Sequence, residues 1–155
     1  MSTRITTIYD GIVTHLNTVF PSSDGYFRMR NPYRPENNPD SMLIKAWGFS
    51  LGGGQNDEKF TGCEMGIDRE LTVTLVRQWI ALESDVTRRA DIEKLILEDQ
   101  FKLFQSLEAD NTIGQVASDV KFISDNGIEF LEAETNKFLM INSLLRLKYV
   151  EKLTP

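Results

Sequence analysis

"CEMGIDRELTVTLVRQW", residues 63–79, is the most regularly alternating stretch of the chain. Cys63, Met65, Ile67, Leu71, Val73, Leu75 and Trp79 take the odd positions; Glu64, Asp68, Glu70, Thr72, Thr74 and Gln78 take the even ones. A period of two over such a length predicts a strand with one buried face and one face that meets water or a partner. Arg69 and Arg77 interrupt the apolar row, and Gly66 marks a candidate bulge or bend. Seventeen strand residues would span about 56 Å, against roughly 40 Å for the diameter of a compact chain of this size. The strand therefore either breaks at Gly66-Ile67 or projects beyond the body. A projecting strand invites partner strands.

Upstream, residues 42–51 alternate with Leu43, Trp47, Phe49 and Leu51 on one face, and they predict a second strand. Between the two lies Gly52-Gly53-Gly54. A phosphate-binding loop needs Gly-Lys-Ser/Thr opening a helix. Here Gln55-Asn56-Asp57-Glu58 follows, with two carboxylates that would repel phosphate. The glycines are expected to form a flexible connector between antiparallel strands.

Residues 3–20 repeat Ile5, Ile8, Ile12, Leu16, Val19 and Phe20 at helical spacing, with Ser2 or Thr3 as cap and Pro21 as stop. Residues 21–42 carry four prolines and predict a long loop, with "GYFRMR" (25–30) as a short edge strand. After the alternating strand the period changes. Ile92, Leu95, Ile96, Leu103, Phe104 and Leu107 form a helical stripe with Asp99 and Gln100 beside it. Ser84 or Asp85 would open that helix and Asp110-Asn111 close it. "VKFIS", "DNG" and "IEFLE" (120–132) read as a hairpin with a tight turn, and "KFLMINSLLRLKYV" (137–150) as a last strand. The expected architecture is one α+β domain over residues 1–155, in the order αββαβββ. Two helices flank a mixed, mostly antiparallel sheet with long extended loops.

The 155 residues can bury a core without a disulfide or metal. The net charge of −6 argues against a protein held on nucleic acid by phosphate contacts. Cys63 is the single cysteine, which fits a reducing compartment. No apolar run reaches transmembrane length, so no membrane partner is expected. Residues 1–11 lack the apolar core of a signal peptide, which places synthesis and folding in the cytoplasm.

Candidate chemistry is sparse. His15 lies on the polar side of the first helix without metal-ligand spacing to another His or Cys, and a solvated histidine is the expectation. Cys63 reads as a small buried hydrophobe. Glu98-Asp99 is a weak dyad, since adjacent helical residues point apart. Asp99 is read by default as a solvated helix charge, with a buried ion pair to an arginine such as Arg77 as the other reading. Arg28, Arg30 and Arg34 interleave with Tyr26, Phe27 and Tyr33. On an acidic chain that pattern suggests a protein-contact loop, because Arg and Tyr are enriched in interface hot spots.

Six segments in order carry a resemblance: "ITTIYDGIVTHLNTVFP" (5–21), "NPYRPENNPDS" (31–41), "LIKAWGFSLGGG" (43–54), "RELTVTLVRQWIA" (69–81), "IEKLILEDQFKLFQSLEAD" (92–110) and "VKFISDNGIEFLE" (120–132). Together they resemble the tail-terminator proteins of long-tailed bacteriophages, part of a wider tail-tube and neck protein group. The resemblance lies in order, length and texture. It implies a virion protein at the tail–neck junction, assembled in the host cytoplasm. Such a protein forms a ring with itself, a hexamer, on the tail tube protein. It stops tube growth and offers a docking surface to the head connector or stopper protein, while DNA passes through the lumen unbound. No catalytic residue, cofactor or metal is implied. On that reading Glu64, Asp68 and Glu70 are candidate lumen-facing residues. Tyr26, Arg28, Arg30, Tyr33, Arg34, Gly52, Gly53 and Gly54 are candidate subunit or partner contacts. A head–tail neck or completion protein is the near alternative. A small α+β enzyme or ligand-binding module, with its site near Gly52–Gly54 or His15, is the competing class.

Overall fold

The structure is a computed structural model that describes residues 5–39, 43–61, 64–79, 86–132 and 137–153. Helix α1 (Ile5–Val19) is followed by strands β1 (Phe27–Arg28), β2 (Lys45–Thr61) and β3 (Glu64–Trp79). Helix α2 (Val86–Ala109) and strands β4 (Asp119–Glu132) and β5 (Lys137–Lys152) complete the chain. The sheet order is β1-β2-β3-β5-β4, with β1 parallel to β2 and all other pairs antiparallel. The fold is α+β, with a mixed sheet and two helices.

The alternation of the quoted stretch decides the layering. Leu71, Val73 and Leu75 point into the main core, where they meet Ile8, Ile12 and Leu16 of α1 and Ile96, Leu103 and Leu107 of α2. Cross-strand partners continue the row: Trp47 and Phe49 on β2, Ile141, Leu145 and Leu147 on β5. Both helices lie on that one face. Cys63, Ser2, Thr3, Ser84 and Asp85, singled out in the sequence, lie outside the described residues.

Three expectations are corrected. Gly66 does not break β3: the pairing with β5 runs without a register shift from Glu64↔Lys152 to Trp79↔Lys137. The strand keeps its length because both neighbours, β2 and β5, are as long as it is. Gly52-Gly53-Gly54 is not a connector either. It lies inside β2, where the register shifts between Leu51 and Gly54, and the strand continues to Thr61. A Cβ on Gly54 would sit 2.9 Å from the Arg69 guanidinium carbon, so the missing side chain makes room for an arginine from β3. Finally, "DNG" does not turn the chain. Asp125 accepts the Gly127 N–H at 2.8 Å, Gly127 takes φ +77°, and the result is a bulge inside one continuous β4. The observed order is therefore αβββαββ.

The even face of β3 is not uniformly wet. After β1, the chain crosses the sheet edge onto the opposite face. There Met29 and Leu43 cover Ala46, Val76, Phe138 and Met140 in a second small core. Thr74 is buried beneath this cover, its hydroxyl 2.6 Å from Asn142 Oδ1. The loop keeps its shape through Asn38, whose carboxamide accepts the Asn31 N–H and donates to the Asn31 and Pro35 carbonyls. Gly48 allows the crossing, because a Cβ there would lie 2.8 Å from Pro32 Cβ and 3.2 Å from Met29 Cε. Gly48→Val should therefore cost about 1–3 kcal/mol by overpacking, read as a lowered urea midpoint. Gly53→Ala, with nothing within 4 Å of the added methyl, should stay within about 0.5 kcal/mol of the parent.

Candidate functional site

Tyr26 is the first contact candidate to be relocated. It is a core residue, not a surface contact. Its hydroxyl donates to Asp99 Oδ1 at 2.7 Å and accepts from Lys102 Nζ at 2.9 Å, and Lys45 Nζ lies 4.4 Å from the ring centre. Asp99, 2 % exposed, is also held by Arg77 through two short bonds, Nε–Oδ2 at 2.7 Å and Nη2–Oδ1 at 2.8 Å. The ion pair was the less favoured sequence reading of Asp99, and it is the one the structure shows. Burial opposes the charged form of Arg77, but its bonds to Asp99 outweigh this and keep the guanidinium charged. Burial pushes the Tyr26 phenol above its ordinary range; Lys102 works against this and Asp99 adds to it.

This cluster is a structural anchor. A half-exposed pair such as Arg89–Glu93 contributes only about 0.3–0.5 kcal/mol, whereas removing one partner of a buried pair costs about 3–5 kcal/mol. Asp99→Ala should destabilise by that larger amount. The double change Asp99→Leu with Arg77→Met should recover most of it, measured as a double-mutant cycle in denaturant unfolding.

His15 is half-buried rather than solvated. Its Nε2 is 3.0 Å from Ser106 Oγ, and that hydroxyl donates to the Leu103 carbonyl at 2.6 Å. With the serine hydroxyl donating to Leu103, the His15–Ser106 bond is completed by the tautomer that has its hydrogen on Nε2. This arrangement ties α1 to α2; a nucleophile–base pair would need the opposite polarity. The cleft beside it, about 450 Å³, includes Gly11, Asp110, Gly114 and Val116. Its far wall is a left-handed turn, with φ +44° at Ile113, +74° at Gly114 and +66° at Gln115. Gly114 adopts this conformation freely, whereas Ile113 and Gln115 cost on the order of 1–3 kcal/mol each. The turn is held by the Asp110 carboxylate, which accepts from the Thr112 hydroxyl and the Thr112 and Gly114 N–H groups, and by Ile113 and Ala117 in the core.

Burial lowers the His15 pKa from its ordinary 6.5, with Asp110 opposing in part. On acidification the unfolded chain is protonated first. The neutral, folded His15 thus contributes fully above 6.5, and the contribution is lost as pH falls through the lowered folded value. His15→Gln should flatten that part of the acid-side decline, read from urea midpoints across the range. Identical slopes in the two proteins would refute the assignment.

The structure brings Arg28, Arg30 and Tyr33 together along the outer edge of β2. A cleft of about 270 Å³ runs there, with Tyr9, Phe49 and Leu51 on the helix side and Pro32 and Tyr33 on the loop side. The Tyr9 and Phe49 rings lie 4.8 Å apart. The Arg28 guanidinium sits 5.6 Å from the Phe49 ring centre and 3.4 Å from the Tyr9 hydroxyl. Arg34 belongs to the same loop, outside the cleft lining. Gly52 and Gly54 lie further along β2, packed on Glu70 and Arg69. Tyr9 and Phe49 escaped sequence reasoning because their spacing marks them as core residues. Only β1 pairing beside β2 turns them into a cleft wall.

Glu64, Asp68 and Glu70 share the sheet face away from the helices, but they do not form an acid row alone. Their partners on β5 are Lys152, Lys148 and Arg146. Arg146 reaches diagonally to Asp68 with two bonds, 2.9 and 3.0 Å. The face is charge-balanced, and the basic half was legible in the sequence only once the β3–β5 register was known. Among the described residues, no group of three or more His, Cys, Asp or Glu is placed to hold a metal ion. No described helix is long and apolar enough to cross a membrane. The chain matches no family model, and no curated protein matches it.

Proposed function

We propose that this chain is a virion structural protein, a tail terminator whose ring caps the tail tube, ends its polymerisation and presents a docking surface to the head connector. The observation that carries the reading is a sheet that outruns its helices. Strands β2, β3 and β5 have 16 or 17 residues each, about 50 Å of extended chain. Helix α1, with 15 residues, spans about 22 Å, and α2, with 24 residues, about 36 Å. The far part of the sheet carries a charged face, and among the described residues neither sheet edge is closed beyond the two residues of β1. Such surface suits contact with neighbours in a ring and with the tube beneath.

The candidate lumen residues Glu64, Asp68 and Glu70 fit this reading in a modified form. Arg146 is held by Asp68, so it is not free to neutralise phosphate. The chain's net charge of −6 adds a general repulsion. DNA would slide past such a surface without being gripped. The enzyme reading is disfavoured at His15 by the direction of the Ser106 proton, and at Gly52–Gly54 by their place inside a paired strand.

Purified protein mixed with tail tubes and imaged in negative stain should show rings at one tube end, and tubes assembled in its presence should stop lengthening. Tubes that remain bare and continue to grow would overturn the proposal.

A further inference from the structure

β1 leaves the sheet after two residues, and its last bond to β2 is Met29 N–H to the Trp47 carbonyl at 2.8 Å. Among the described residues, the chain from 30 to 39 makes no further backbone bond to β2. Beyond Trp47, β2 therefore has an open edge, and the cleft of about 270 Å³ lies along it, where β1 would have continued. The Tyr9–Phe49 pair walls one side of this slot and the Pro32–Tyr33 segment the other. A slot with aromatic walls and a free strand edge accepts one extended segment.

Charge selects the occupant. Arg28 and Arg30 line the slot and Arg34 follows in the same loop; among the described residues of that loop Glu36 is the one carboxylate, and none of the three arginines makes an ion pair with a described residue. The opposite edge of the same sheet is β4, which has no outer partner among the described residues. It carries Asp119, Asp125, Glu129 and Glu132 against one lysine, Lys121. The lengths match as well. β4 is regular from Ile128 to Glu132, past its bulge, and β2 is regular from Gly48 to Leu51, before its own.

We propose that the β2 edge slot of one copy receives the Ile128–Glu132 segment of β4 from a second copy, with the carboxylates of that segment facing the three arginines. The contact is heterologous, slot to edge, so each copy offers one of each, and the series forms a ring when the rotation per copy closes and a filament when it does not. The inference rests on the proposed ring and specifies its contact.

The test uses the full chain with charges reversed at exposed positions. Arg30→Glu with Arg34→Glu alters the slot, and Glu129→Lys with Glu132→Lys alters the edge. Self-association is read by sedimentation up to millimolar concentration, and capping is read on tail tubes. Each pair of changes should weaken self-association at least about tenfold, since like charges then face each other. The quadruple variant, in which complementarity is restored with inverted sign, should recover to within about threefold. Association unaffected by either pair, no recovery in the quadruple variant, or a chain monomeric both alone and on tubes would overturn the slot assignment. Loss of tube capping with the slot variant alone, self-association being intact, would also overturn it and make the tube protein the occupant. If caps persist in both paired variants, the slot fails and the terminator reading survives. If charge-dependent self-association occurs without any binding to tubes, the reading fails and the slot survives.

Discussion

A carboxylate buried on the apolar side of a helix must be partnered, and the partner of Asp99 fixes how α2 lies on the sheet. Arg77 from β3 and Tyr26 from the segment before β1 converge on it. One residue later, buried Gln100 donates to Ser143 on β5 and Asp125 on β4. Two consecutive polar residues thus address four separate elements. Apolar contacts alone would allow α2 to rotate or slide at modest cost, because core packing tolerates many arrangements of similar volume. The polar pair does not, since any other rotation leaves a charge or amide buried without a partner. Position specificity on this face comes from Asp99 and Gln100, while most of the stabilisation comes from the apolar stripe around them.

The same anchor sets what remains outside. With Asp99 and Gln100 turned inward, Leu97 and Phe101 face solvent, and Phe104 turns toward Phe122 of β4 at a centroid distance of 4.5 Å. Tyr26, drawn into the core by Asp99, brings β1 to the edge of β2 and sends the following loop over Gly48 to the other face. The position of β1 beside β2 is thus tied to the core through the Tyr26–Asp99 bond.

The parts of this fold visible in the sequence were those governed by period. The odd positions of β3, the stripe of α2 and the Ile8–Ile12–Leu16 row of α1 each meet the core as their spacing implies. What spacing could not convey was the role of glycine and of side-chain bonds between distant segments. Gly52–Gly54 and Asp125-Asn126-Gly127 carry the local chemistry of a break, yet each lies inside a strand. Long partner strands supply enough ladder to carry the chain through a bulge. Tyr26 resembled a surface tyrosine because Arg28 and Arg30 follow it closely in sequence, whereas its hydroxyl is held by Asp99, 73 positions away. The acid row of β3 was legible, but its neutralising row on β5 was hidden until the register placed Arg146 beside Asp68.

Both sheet edges show how the chain limits unwanted pairing while leaving some surface available. β4 is twice interrupted by bulges, at Phe122/Ser124 and Asp125/Ile128, and carries exposed charge along its length. β2 is shielded near Trp47 by β1 and interrupted at Gly52–Gly53. Bulges and charges of this kind oppose indiscriminate stacking of strands, because an incoming edge meets a broken ladder or a like charge. They leave only short regular windows, and a short window with the correct charge sign excludes most partners while admitting one. The β4 edge is acidic, whereas the segment beside the β2 edge carries Arg28, Arg30 and Arg34. Like charge thereby disfavours the pairing of one β4 edge with another.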